Sequence, residues 1–168
     1  MQITTFDILS RFIYQMNQPA EINQLKVHIT GKHRGLTKRQ IQEACQTYLN
    51  YLAGPRLTNK ITLFIKFVQD DKHFHGDMTW LDSNHRPREF QINVTWNKSK
   101  KRMLLTLAHE MIHVKQFAKG ELKDYASGHA SAWLGKRIDT DNNDDYFSWP
   151  WEVEAHARES EVYSLLNS

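Results

Sequence analysis

Apolar residues along this chain keep two rhythms, and the places where the rhythm changes mark its elements. Phe6, Leu9, Phe12, Ile13 and Met16 recur at three- and four-residue steps, which predicts a short N-terminal helix. Gln24 to Thr30 predicts a short strand and Gly31 to Gly35 a loop. Thr37 and Gln40 then form a capping-box signature. It stands ahead of Ile41, Ala44, Cys45, Tyr48, Leu49 and Leu52, which share one helical face until Gly54-Pro55 stops it.

The period next falls to two. Ile61, Leu63, Ile65 and Phe67 alternate with Thr62, Phe64, Lys66 and Val68, and enough of both sets is apolar to predict a strand covered on both faces. After a loop from Asp70 to His75, Gly76 to Leu81 predicts another strand. Asp82 to Arg88 predicts a turn. Phe90, Ile92, Val94 and Trp96 alternate with Glu89, Gln91, Asn93 and Thr95, the pattern of a half-buried strand.

The helical period then returns. Leu104, Leu107, Met111, Val114 and Ala118 predict a buried face, with Asn97 or Ser99 as cap and Gly120 just past the end. After Gly120 the pattern weakens until Ala130 to Lys136. Asp139 to Asp145 superficially resembles a calcium loop, but Asp144 stands where the turn glycine belongs and Pro150 where a bidentate glutamate is needed, so a solvated acidic loop is expected. Tyr146 to Trp151 is an aromatic cluster, and Pro150 suits the first turn of a helix reaching about Leu166.

Helix, three strands and a further helix predict an α+β class, with a small sheet of three or more strands. At 168 residues the chain fits a single domain, 1–168, with 1–34 as a poorly defined extension and 35–168 as the core. The single Cys45 excludes an intramolecular disulfide, and its place on the apolar helix face makes it a core residue. With no cationic leader and no run of membrane-spanning length, a soluble, intracellular (cytoplasmic) protein with no membrane partner is the expectation. Charge is uneven: Lys and Arg outnumber Asp and Glu 16 to 8 over residues 1–102, and fall behind them 6 to 11 over 103–168. Lys32, Arg34, Lys38 and Arg39, then Lys98, Lys100, Lys101 and Arg102, are clusters that suit phosphates or an acidic partner, or solvated helix ends.

The chemistry is concentrated in the helix. His109-Glu110-Met111-Ile112-His113 is an HExxH motif. Residues at i and i+4 stand only about 40° apart around a helix and about 6 Å apart along it, so both imidazoles reach one Zn²⁺ ion. Glu110, next to the first histidine, is placed to take a proton from the water that such an ion activates. A catalytic zinc takes three protein ligands and keeps a fourth position open. Two residues compete for the third place: Glu152, which opens the last helix, and His129, in Gly128-His129-Ala130-Ser131-Ala132-Trp133. Glu154 lies about 160° around the helix from Glu152, and His156 could support a histidine ligand by hydrogen bonding. His28, His33, His73, His75 and His85 lack ligand spacing to the motif and are expected in loops or on the surface.

HEMIH followed by GHxxxW resembles the Spartan/SprT-like zinc peptidases, which implies a zincin-like fold, a third histidine ligand at His129 and association with nucleic acid. LAHEMIHVKQFAKGEL, WLGK, a tyrosine and PWEVEA together look more like small gluzincin-type metallopeptidases of phages and bacteria. ExxA at Glu152 also resembles the third-ligand helix of ImmA/IrrE-like peptidases. The resemblance spans about residues 37–160 and prefers Glu152 as third ligand, with His129 second and Glu154 third. It also implies a phage-infected bacterial host as one setting.

The resulting expectation is a zinc-dependent metallopeptidase that binds one Zn²⁺ through His109, His113 and Glu152. Glu110 is its general base, and Tyr146, ahead of Tyr125, donates to the oxyanion. A peptide substrate is expected to pair with strand 89–96. Two alternatives stand beside it: a nucleic-acid-associated SprT-like protease, docked through the basic N-terminal portion, and a zinc-containing DNA- or protein-binding module without catalysis.

Overall fold

A computed structural model describes residues 24–69, 76–96, 98–126, 128–140 and 143–166. The expected N-terminal helix, the 70–75 loop with His73 and His75, and Asn97 lie outside the described residues. Strand β1 (Lys26–Gly31) leads to helix α1 (Lys38–Ala53), a single turn α2 (Pro55–Thr58), and strands β2 (Thr62–Val68), β3 (Gly76–Trp80) and β4 (Glu89–Thr95). Helix α3 (Lys100–Lys119) follows, then β5 (Leu122–Asp124), β6 (Ala130–Trp133) and β7 (Lys136–Asp139). A 3₁₀ turn (Asn143–Ser148) runs into helix α4 (Pro150–Ser164).

The main sheet has the order β1-β2-β4-β3, with the first three strands parallel and β3 antiparallel to β4. Leu63, Ile65, Phe90, Ile92 and Val94 form its fully buried face and meet the apolar face of α1, where Ile41, Ala44, Cys45, Tyr48 and Leu49 are equally buried. On the opposite face of β2, Thr62 and Phe64 are half-buried and Lys66 is exposed, so the strand expected to be covered on both sides is fully covered on one. The capping box of α1 forms as read, Thr37 Oγ1 accepting from the Gln40 amide and the Gln40 side chain accepting in return.

Helix α3 is capped by Ser99, whose hydroxyl accepts from the Arg102 amide, and is closed by Gly120 at φ 73° in the left-handed region. Twenty residues make it about 30 Å long. Its second half lies between the sheet, α4 and β5, so every side chain from Glu110 to Ala118 is buried, polar ones included. α4 packs along α3 through Trp151, Ala155 and Val162, which joins both helices and the sheet in one core. No helix among the described residues is long and apolar enough to cross a membrane.

Two expectations change. Strand β4 is hydrogen-bonded on both sides, so the segment expected to offer an edge to a peptide is interior, and β3 is the edge strand beside α3. The stretch after Gly120 holds a three-stranded antiparallel meander, β5-β6-β7, which the hydrophobic pattern does not mark. Its strands are three or four residues long and largely polar, and its tight turn is Leu134-Gly135, with φ 49° and 83°. Two positive φ values suit a type I′ hairpin turn, and a leucine in the first place hides the usual Asn-Gly or Asp-Gly signal.

Candidate metal centre

The site is built where the first turn of α4 crosses the middle of α3. His109 and His113 project from one face of α3, and Glu152 comes from the N-terminal turn of α4, where the helix dipole favours a carboxylate. The two Nε2 atoms stand 3.2 Å apart, and each lies 3.4 Å from a different oxygen of Glu152. Zinc bonds of about 2.0–2.1 Å in a tetrahedral arrangement place neighbouring ligand atoms about 3.3–3.4 Å apart, so the triangle has the size of one face of such a site.

The hydrogen bonds behind the triangle make the fit chemical as well as geometric. His109 Nδ1 is 2.9 Å from Glu159 Oε2, and His113 Nδ1 is 2.8 Å from Gln116 Oε1. The Gln116 amide donates its own hydrogens to the Trp151 carbonyl at 3.0 Å and to Glu154 at 2.9 Å, which leaves its oxygen to accept from His113. Both Nδ1 edges are thus engaged, which suits the neutral tautomer that turns an Nε2 lone pair inward. The two Nε2 atoms and the Glu152 carboxylate then form a donor set that could hold a metal ion.

The same triangle also closes through hydrogen bonds when the imidazoles donate to Glu152 through Nε2. Burial pushes Glu152 up, but hydrogen bonds from His109, His113 and Tyr146 outweigh it and hold its carboxyl well below the usual carboxylate range. Burial lowers His109, and its bonds to Glu152 and Glu159 raise it further than that, for a net upward shift. Glu110 is 6 % exposed. Burial, joined by the charges of Glu152, Asp77 and Glu159 and opposed by His113, pushes it up to about 8. Room for its carboxylate comes from Gly76 on β3: a Cβ there would lie 3.1 Å from Glu110 Oε1 and 2.4 Å from the Thr106 methyl.

The other expected residues fall into place around this centre. The Tyr146 hydroxyl is hydrogen-bonded to Glu152, and burial with that bond raises its pKa. Tyr125 lies away from the trio, its ring 5.3 Å from the Arg137 guanidinium. His129 is exposed and belongs to no trio of ligand spacing among the described residues. Glu154 faces away from the site, to Lys115 at 2.6 Å, Gln116 at 2.9 Å and Arg158 at 3.2 Å. The His156 ring lies 4.7 Å from that of His109, tilted by 54°, but the hydrogen bond expected of it is made by Glu159. A second trio, His109, His156 and Glu159, also has ligand spacing. It uses the edge of His109 already bonded to Glu159.

Glu159 and Gln116, hydrogen-bonded to the two candidate histidine ligands, are the residues the sequence reading missed. Glu159 is seven residues, two helical turns, after Glu152, and Gln116 is three after His113, so both carry a same-face spacing that could have been read.

The trio opens into a cleft of about 670 Å³. Arg102 and Thr106 border one end, Trp80, Phe117 and Leu122 the other, and Tyr146 overlooks the middle. Comparison with family models, with curated proteins and with solved structures finds no match.

Proposed function

We propose that this protein is a zinc-dependent metallopeptidase of zincin type. The triangle of His109 Nε2, His113 Nε2 and the Glu152 carboxylate carries the reading, because it supplies three ligands and leaves one side open to the cleft. A Zn²⁺ ion held there supplies a Lewis acid and water of lowered pKa.

The chain's own residues supply the rest. Glu110 accepts a proton as the water oxygen bonds to the peptide carbonyl carbon, and returns it to the nitrogen as the C–N bond breaks. Tyr146 stands beside Glu152 to donate to the developing oxyanion. Substrate pairs with β3. The Leu81 amide donates to the Glu89 carbonyl, which puts odd-numbered residues of β3 in the hydrogen-bonded pairs and turns the N–H and C=O of Met78 and Trp80 toward the open edge.

A closed structural site would use four protein ligands. Among the described residues three are brought together, and Glu110 is kept buried beside them without ligand spacing to the trio, which favours catalysis over a purely structural zinc.

The test is hydrolysis of denatured, dye-labelled casein by zinc-loaded protein. Activity is expected to vanish with a chelator, return with zinc, and fall by about 10²–10⁴-fold in Glu110→Gln. Cleavage that persists undiminished in a clean preparation of that variant contradicts the mechanism.

One observation favours a nucleic-acid-dependent version. Gly35 packs against Lys100 closely enough for a Cβ to lie 2.9 Å from its Cε, and the Arg34 guanidinium stands 5.9 Å from the Trp96 ring, so the two basic clusters meet. Stimulation of casein cleavage by DNA that fades steeply with salt supports this version.

A further inference from the structure

The cleft continues past the metal trio. One turn beyond His113, Phe117 stands under Trp80, the last residue of β3, with ring centroids 4.6 Å apart at 34°. Behind this pair opens a second hollow of about 500 Å³, walled by the 81–88 segment and by β5 and β6. The two hollows share Trp80, Phe117, Leu122 and Asp124, so they are lobes of one groove.

Three of the four shared residues are apolar, and several of the polar groups around them are paired. Lys123 donates to His85 at 2.9 Å, and Ser131 donates to Asp124 at 2.7 Å. Trp80 is 36 % exposed although its strand sits beside a buried helix, so indole surface remains open to a further apolar group.

Direction follows from the edge. β3 runs from Gly76, against Glu110, to Trp80, against Phe117. A peptide pairing antiparallel, the more stable mode, therefore extends its N-terminal part from the metal toward Trp80. We infer that Trp80, Phe117 and Leu122 form a substrate subsite for a bulky apolar side chain on the N-terminal side of the scissile bond, with the β5–β7 meander as its outer wall. The inference rests on the peptidase reading.

Peptidyl hydroxamates test it without turnover, because the hydroxamate binds zinc and the peptide part reaches the N-terminal side. Zinc-loaded protein is expected to bind acetyl-Phe-Gly-hydroxamate about tenfold or more tighter than acetyl-Ala-Gly-hydroxamate. Trp80→Ala, and separately Ala132→Phe, which fills the outer lobe, are each expected to shrink that preference to within about twofold. Both should leave acetohydroxamate binding unchanged. Equal affinities in the unaltered protein, or a preference that survives both variants, overturn the subsite while acetohydroxamate still binds. Failure of acetohydroxamate to bind zinc-loaded protein instead overturns the metal-site reading beneath it.

Discussion

Glu152 and Glu154 stand two residues apart on the same helix and do opposite work. Glu152 faces the Nε2 edges of two imidazoles at 3.4 Å, a set that could hold a metal ion. Glu154 faces Lys115, Gln116 and Arg158, three donors that satisfy it completely. Burial opposes ionisation at both, and at both the partners win and lower the pKa. The contrast separates a site from a clamp. The clamp ties α4 to α3 through buried Lys115, which also pairs with Glu121 at 2.7 Å, and so holds Glu152 opposite the histidines. Gln116 touches both regions, bonded to His113 on one side and to Glu154 on the other.

Substitutions should pull the two regions apart. Glu110→Gln is expected to lower kcat by about 10²–10⁴-fold with zinc content intact, read by casein cleavage and metal analysis. Glu152→Ala should weaken zinc binding by more than the ~10–100-fold that loss of a supporting partner costs, measured by chelator competition. Glu159→Ala should fall within that ~10–100-fold range, and loss of the His109 hydrogen bond should show in the imidazole NMR signals. Glu154→Gln should do the reverse. It costs about 1–3 kcal/mol of stability in denaturant unfolding, because Lys115 loses one of two partners, and changes zinc affinity by less than about tenfold. Equal zinc losses in Glu152→Ala and Glu154→Gln would erase the distinction.

Proton linkage gives a finer test on metal-free protein. Glu110 is raised from an ordinary value of 4.5 to about 8, so between those pH values the folded state keeps a proton that the unfolded state releases. This carboxyl therefore makes stability fall as pH rises from about 4.5 to about 8, with no further change above that. Unfolding midpoints across this range should slope less in Glu110→Gln than in the unaltered protein. Parallel slopes contradict the burial argument.

Much of this architecture was legible in the sequence where packing follows periodicity. Ile41 to Leu52, Phe90 to Val94 and Leu107 to Ala118 carry apolar spacing because one face of each element meets the core. The i, i+4 spacing of His109 and His113 fixed their common face. Legibility failed where a fold-level neighbour decides the outcome. Nothing in Glu89 to Thr95 shows that β3 covers its outer side and makes it interior. The meander escaped because short polar strands and a Leu134-Gly135 turn carry no period. Gln116 carried no signal of its own and Glu154 stood third among the candidate ligands, and both are buried or half-buried because α4 lies on top of α3.

The most direct test of the central claim is an anomalous-scattering map at the zinc absorption edge, from crystals of protein purified without added metal. One peak bound by His109 Nε2, His113 Nε2 and Glu152, with its remaining position open to the cleft, is the expected result. No peak after zinc soaking, or a peak enclosed by four protein ligands, contradicts it.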